Sequence, residues 1–157
     1  MIYIELKQDF SDTALLERAA RLTLDTSTPV GAGFEFALAS VDMTIVLTDD
    51  AQLRELNREY LGVDAPTDVL SFPASEADPE TGVSYLGDIL ISIPRAKQQA
   101  EAAGHPVEDE VQLLVVHGTL HLLGHDHATA AEKARMWKAQ AEVMSGLGLS
   151  HIKIQDT

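Results

Sequence analysis

The chain of 157 residues is 45% apolar and 23% charged, carries a formal net charge of -14 and contains no cysteine. This length suits one domain, expected to span 1–157, and the apolar content excludes a disordered chain. Without cysteine, any metal must be held by nitrogen and oxygen ligands. The acidic balance argues against non-specific binding of duplex DNA, which normally requires clustered lysine and arginine.

The N-terminal segment, MIYIELKQDF, lacks the basic region, the apolar run and the small-residue cleavage site of a secretory signal. No uninterrupted apolar run in the sequence approaches the length that spans a membrane. We therefore expect a cytoplasmic protein with no membrane partner.

The first half of the chain alternates strand-like and helix-like segments. IYIEL alternates apolar and polar residues, which is typical of a strand, and the stretch after Ser11 has apolar residues at helical spacing. The β-branched run around MTIVLTD predicts a second strand that ends near Thr48. DDAQLRELNREY returns to the helical period, with acidic residues in its first turn, where they complement the helix dipole.

The second half of the chain begins with TDVLSFP and YLGDILISIP, which predict an antiparallel hairpin joined by the long polar connection ASEADPETGVS. Pro94 favours the start of a short helix that ends at Gly104. EDEVQLLVVHGTLHLLG is apolar on nearly every side in its second half and predicts a central buried helix. Thr129 and Glu132 form a capping-box pattern that begins a last helix, which continues to about Met144.

Histidine is concentrated in one segment, HGTLHLLGHDH at 117–127, which holds four of the six histidines. His117 and His121 are four residues apart, so on a helix they project from one face and can bind one metal ion. Gly124 favours a turn that brings His127 round as a third ligand. The spacing is that of the zincin three-histidine site. The sequence therefore predicts an α+β fold, with a mixed sheet of about four strands, about five helices, and a zincin-like metal site on the central helix.

Imidazole nitrogen suits zinc, and copper, nickel, cobalt and iron are also chemically compatible. Three protein ligands leave a fourth position for water, which is typical of catalytic zinc, and bound zinc lowers the pKa of that water towards about 7. We therefore predict a hydrolase with one Zn²⁺ per chain. Gly118 stands where metalloproteases have their glutamate general base, so ordinary peptidase chemistry lacks its proton acceptor.

Other side chains near the motif have open roles. Asp126 can accept a proton or orient a ligand histidine, and stabilising the turn is an equal alternative. His125 is a secondary candidate ligand, against contact with solvent or substrate. His105 and His151 are expected to be exposed to solvent, and Trp137 is expected to pack in the last helix rather than stack on a base.

HGTLHLLGHDH, LNREYLGVDAPTDVLSFP at 56–73 and LGDILIS at 86–92 together resemble the YbeY family of bacterial rRNA maturation factors. The resemblance extends from about Thr44 to His127, in the expected order. It implies a zinc-dependent, single-strand-specific endoribonuclease that acts in 16S rRNA maturation, especially at the 3′ end, and in ribosome quality control. It also implies a single-stranded rRNA precursor as substrate and association with the small ribosomal subunit and its proteins.

The resemblance also assigns site residues. The three histidines at 117, 121 and 127 match the family's metal ligands, and PTDVLSF at 66–72 matches the strand edge beside the metal cleft. The family commonly has an arginine, thought to serve the RNA phosphate, where this chain has Leu61. Arg58 is a candidate substitute, because guanidinium pairs bidentately with phosphate, and a solvated surface arginine is the alternative. Arg95 and Lys97 precede the central helix as further cations.

Three functions remain open on the sequence alone. The leading hypothesis is a metal-dependent endoribonuclease of ribosome biogenesis, which cleaves by metal hydroxide or by metal-assisted attack of the RNA 2′-hydroxyl. The second is a metal-dependent peptidase or esterase, against which Gly118 argues. The third is a non-catalytic ribosome assembly factor with a structural metal, which Leu61 favours somewhat.

Overall fold

The computed structural model describes residues 1–31, 34, 40–77, 80 and 83–152. Within these residues, four strands and five helices confirm the predicted α+β class. The strands are β1 (Ile2–Leu6), β2 (Val41–Thr48), β3 (Val69–Ala77) and β4 (Ser84–Ser92). The helices are α1 (Thr13–Thr26), α2 (Asp50–Leu61), α3 (Ile93–Ala103), α4 (Val107–Leu122) and α5 (Ala130–Gly146).

The four strands form one mixed sheet in the order β1-β2-β4-β3. β2 runs parallel to both β1 and β4, so Ile45 lies between Ile4 and Ile89 in the register. β3 pairs with β4 in the antiparallel direction and forms one edge of the sheet, as the predicted hairpin requires.

The connection between β3 and β4 is shorter than the sequence predicted. The register shifts between Pro73 and Glu76, and β3 continues through Ala77 into the stretch predicted as a loop. A bulge at this point accommodates the proline, which cannot donate a ladder hydrogen bond, and lets pairing resume beyond it. Residues 78–79 and 81–82 of the predicted loop lie outside the described residues.

The sheet separates the core into two layers, because alternate residues of its strands face opposite sides. On one face of the sheet, Val46, Leu70 and Leu90 pack with Leu53 of α2. On the other face, a larger cluster joins strand residues such as Ile89 to α1, α4 and α5. Successive side chains of a strand point to opposite faces, so each strand supplies both layers. α4 is the central buried helix that its apolar sequence predicts.

Several helix ends follow their sequence signals. Thr129 caps α5 by accepting a 3.2 Å hydrogen bond from the Glu132 backbone N–H. Gly104 ends α3 with a φ of 78°, a conformation that glycine adopts without strain. Pro94 lies in the first turn of the same helix. None of the described helices is long and apolar enough to cross a membrane.

Gly118 lies where α4 approaches the sheet closely. A Cβ atom at this position would lie 2.8 Å from Cγ2 of Ile89 and 3.2 Å from Oγ of Ser71. The Ser71 hydroxyl also donates a 3.0 Å hydrogen bond to the Gly118 carbonyl. The residue that replaces the peptidase glutamate therefore packs directly on β3 and β4, where a side chain does not fit.

We expect Gly118→Ala to lower the free energy of unfolding by about 1 kcal/mol and by no more than about 2 kcal/mol. Overpacking a closed core costs about 1–3 kcal/mol, and the gain of roughly 1 kcal/mol in helix propensity offsets part of that cost. Urea denaturation at unchanged m-value measures the difference. Gly146→Ala in α5 is the control and should be nearly neutral, because the one atom close to its Cβ is the end of the partly exposed Leu22 side chain, which can move, whereas Ile89 is fully buried. Equal midpoints for Gly118→Ala and wild type would contradict the close packing.

Candidate metal centre

The three histidines of the motif come together at the end of α4. His117 and His121 lie in its last two turns, and the chain then reverses at Gly124, which has a φ of 92°. A Cβ on Gly124 would lie 2.0 Å from the Val30 carbonyl oxygen, so glycine is required here for both its φ and this approach. One ring nitrogen from each of the two helix histidines and from His127 lies within 4.8 Å of the others. The turn therefore produces the grouping that the spacing predicted.

Hydrogen bonds set the tautomers of the two helix histidines. His117 Nδ1–H donates to the Oε1 atom of Gln140 at 2.9 Å, and His121 Nδ1–H donates to the His125 carbonyl at 2.9 Å. Because both partners are acceptors, each neutral ring keeps a lone pair on Nε2. The two Nε2 atoms lie 3.1 Å apart. Two lone pairs at this distance repel each other unless a cation or proton lies between them, so the donor set fits a metal ion.

The surroundings also keep these imidazoles neutral. Burial lowers the pKa of His117. Burial, with a further contribution from the nearby His117 ring, lowers the pKa of His121 to about 4. Since neutral imidazole is the form that binds metals, both side chains are ready for a metal at neutral pH.

His125 and Asp126, which directly precede His127, have different roles. Asp126 Oδ1 accepts a 2.8 Å hydrogen bond from the His127 backbone N–H, so one carboxylate oxygen stabilises the turn. His125, the secondary candidate ligand, does not join the other three histidines, and it is buried rather than in contact with solvent. Its Nε2–H donates to the Thr28 carbonyl at 3.0 Å, which ties the turn to the chain after α1.

The two histidines outside the motif, His105 and His151, differ in their exposure to solvent. His105 was expected in solvent, but its Nε2 lies 2.6 Å from a carboxylate oxygen of Glu110 and its side chain is 11% exposed. The first turn of α4 brings this buried acid next to the loop, and burial raises the pKa of Glu110 despite the hydrogen bond to His105. His151 is exposed, as predicted.

Trp137 packs against the core, as predicted. It also contacts the histidine cluster, which the sequence did not indicate. Its ring meets those of His117 and His127 edge to face, with centroid distances of 6.0 and 5.6 Å. The tryptophan therefore forms an apolar wall behind two of the three candidate ligands.

A cleft of about 790 Å³ opens above the three histidines. The 67–71 segment of PTDVLSF lines it, which agrees with the expected position of this strand edge beside the metal centre. Leu61 lies on its wall, and Arg95 also lines it, whereas Lys97 lines a separate cavity. Arg58 is exposed on the last turn of α2 and is not among the lining residues. Its contact with phosphate therefore remains a prediction.

Gln140 is the site residue that sequence reasoning missed. It is 2% exposed and accepts the hydrogen bond from His117. The available signal was its position in the buried face of α5, between Met136 and Val143. A glutamine at a core position requires a hydrogen-bond partner, because burying an unpaired amide is unfavourable.

The fold and the site define an α+β protein with a three-histidine centre at the end of a buried helix. Residues 6–148 match the family described as Endoribonuclease YbeY, and this match covers most of the chain. The chain belongs to the endoribonuclease YbeY family.

Individual relatives agree with this assignment. Endoribonuclease YbeY of Moorella thermoacetica is 45% identical over 134 residues, which cover 81% of this chain and 86% of the relative. Endoribonuclease YbeY of Halalkalibacterium halodurans is 38% identical over 150 residues, which cover 90% of this chain and 94% of the relative. A solution structure of a Thermotoga maritima protein has a TM-score of 0.54 at 24% identity and covers 98% of this chain and 97% of that chain. This last likeness shows the fold alone.

We expect Gln140→Leu to weaken zinc binding by about 10- to 100-fold, because the partner that orients a ligand histidine typically contributes that much. Competition with a chromophoric chelator measures the dissociation constant. Gln140→Glu is the matched control, since it keeps an acceptor for His117 Nδ1–H, and it should bind zinc at least as tightly as wild type. Equal affinities for Gln140→Leu and wild type would refute the orienting role.

The stability of the metal-free protein should depend on His121 below neutral pH. Its unfolded pKa is about 6.5 and its folded pKa about 4, so between these values the unfolded chain binds a proton that the folded protein does not. Stability should therefore fall as the pH decreases from about 6.5 to 4, by roughly 3 kcal/mol for this group. Thermal unfolding in the presence of chelator measures the fall. His121→Gln should show a shallower decrease, and parallel curves for the two proteins would contradict the assignment.

Proposed function

We propose that this chain is a zinc-dependent, single-strand-specific endoribonuclease that acts in 16S rRNA maturation, mainly at the 3′ end, and in ribosome quality control. Membership of the endoribonuclease YbeY family supports hydrolysis of RNA phosphodiester bonds and a role in rRNA processing. The observation that supports metal-dependent chemistry is the distance of 3.1 Å between the Nε2 atoms of His117 and His121, which both line an open cleft.

His117, His121 and His127 would hold the ion through one nitrogen each. A donor set of three imidazoles suits Zn²⁺ and leaves one position for a non-protein ligand. Bound zinc supplies Lewis acidity and lowers the pKa of water towards about 7. The Gln140 amide and the His125 carbonyl orient the two helix imidazoles for this task.

Two further residues complete the proposal. Asp126 lies in the cleft beside His127, with an exposed carboxylate that is a suitable proton acceptor close to the ligands. Arg58, exposed on the last turn of α2 and three residues before Leu61, is proposed to contact an RNA phosphate outside the cavity. The peptidase alternative is not supported, because the close packing of Gly118 on Ile89 prevents a glutamate from occupying the peptidase position.

Ribosomal association is the part of the proposal that rests on resemblance. The relatives are named for endoribonuclease activity, and an RNA substrate follows from that family name. The single-stranded rRNA precursor, the small ribosomal subunit and its proteins are the partners that we propose on the same basis.

The first test combines metal content with RNA cleavage. Protein purified without a chelator or affinity tag should contain about one zinc per chain by plasma mass spectrometry. It should cleave a single-stranded fragment that spans the 3′ end of precursor 16S rRNA, and the same fragment paired with its complement should resist cleavage. His121→Ala should lose both the zinc and at least about 100-fold in rate, because the activated water is lost with the metal. The control, His151→Ala, should match wild type, since this side chain is exposed in the C-terminal part of the chain.

The outcomes separate the components of the proposal. Full activity in a zinc-free His121→Ala protein would overturn the metal centre, and equal cleavage of the duplex would overturn strand specificity. A 2′,3′-cyclic phosphate on the product would identify attack by the RNA 2′-hydroxyl. A 5′-phosphate with a 3′-hydroxyl would identify attack by water.

A further inference from the structure

The cleft contains very little positive charge for a site that would accept RNA. Among the described residues that line it, Arg95 is the one arginine or lysine. The acidic lining residues are Asp68, Glu110 and Asp126. Leu61 occupies the wall where the family resemblance implies an arginine, and it is 61% exposed. Among the described lining residues, a phosphate inside this cleft therefore meets one permanent cation.

Arg95 is held in place on one side only. Its Nε and Nη2 donate to the two carboxylate oxygens of Asp50, at 3.2 and 3.3 Å. Asp50 is held in turn by the Ser92 hydroxyl, which donates to Oδ1 at 2.7 Å. Guanidinium carries five N–H groups, and this ion pair uses two of them. The Nη1 group has no hydrogen-bond partner among the described residues, and the side chain is 30% exposed.

The acids of the cleft already have partners of their own. Glu110 pairs with His105, and Asp68 accepts from the Val69 backbone N–H at 2.8 Å and from the Gln99 amide at 3.4 Å. Among the described residues, Asp50 is the acid that forms an ion pair with the Arg95 guanidinium. Arg95 thus has unused N–H donors in a fixed orientation, which favours a directed hydrogen bond to a phosphate oxygen.

We propose that Arg95 binds a backbone phosphate of the RNA within the cleft and takes the place of the arginine that Leu61 replaces. This inference rests on the proposed function, because it assumes an RNA substrate at the three-histidine centre. Asp50 acts as a positioning residue, since it holds the guanidinium by the Nε edge and leaves the remaining donors free. The contact is a directed hydrogen bond rather than a broad basic patch.

The test measures the salt dependence of RNA binding. Zinc-loaded protein is titrated against a fluorescent, single-stranded 2′-O-methyl RNA oligonucleotide at several salt concentrations, and gel electrophoresis verifies that the probe stays intact. For Arg95→Gln we expect affinity about 10-fold weaker at low salt. The slope of log K against log salt should also fall by about 0.7, the value for one phosphate contact on a single strand. Lys97→Gln is the matched control, because it removes one charge from the same helix outside the cleft, and it should keep the wild-type slope.

Asp50→Asn separates phosphate binding from a purely structural role. It breaks the same ion pair as Arg95→Gln and removes the orienting contact but keeps the guanidinium charge, so we expect a smaller loss of affinity than in Arg95→Gln and the wild-type salt slope. If both variants lose affinity equally, Arg95 only supports the fold, and the inference is overturned. An unchanged salt slope in Arg95→Gln also overturns the inference. The same holds if Arg58→Gln lowers the salt slope while Arg95→Gln keeps the wild-type slope. Wild-type protein that neither binds nor cleaves RNA would instead refute the proposed function itself.

Discussion

The contact between Gly118 and the sheet determines where the site lies. The glycine allows α4 to rest directly on Ile89, and the Ser71 hydroxyl joins the helix to the edge strand β3 through the Gly118 carbonyl. This contact lies between His117 and His121 in sequence, so it sets the distance of both imidazoles from β3. The cleft is the space that remains between that strand edge and the helix. A larger residue at this position would separate the two walls of the site.

Both helix histidines are oriented by neutral acceptors rather than by carboxylates. Gln140 supplies an amide oxygen and His125 a backbone carbonyl. A carboxylate partner would raise the basicity of the imidazole and place a negative charge near the metal. With neutral partners and neutral ligands, a bound divalent cation would keep more of its charge. An anionic phosphodiester is the kind of substrate for which that retained charge is most favourable.

Much of the architecture could be predicted from local patterns. The β-strand alternation of IYIEL, the apolar length of α4 and the cap at Thr129 are signals within a few residues, and the structure confirms each of them. The grouping of the histidines was predictable for the same reason, because the helical period and one glycine determine it. The bulge after Pro73 was not predictable, because it depends on pairing with β4 across the hairpin.

The surroundings of the site were harder to predict, because they come from distant parts of the chain. Gln140 reaches His117 from a helix that begins after the motif, and Thr28 meets His125 from the segment that follows α1. Neither partner has a sequence signature of its own. The pairing of His105 with Glu110 was missed for a different reason, since a His-Pro loop suggests exposure and only the packing of the first turn of α4 shows the burial.

The acidity of the whole protein and the proposed polyanionic substrate are compatible if charge acts locally. A net charge of -14 repels RNA at long range, but salt screens exposed charges beyond about 8–10 Å under physiological conditions. Inside the cleft, recognition would then depend on directed contacts and on the metal ion rather than on a basic surface. Duplexes and unrelated nucleic acids that cannot enter the cleft would meet mainly the repulsive exterior. The acidic surface would thus add to selectivity, because it penalises every binding mode that does not reach the three-histidine centre.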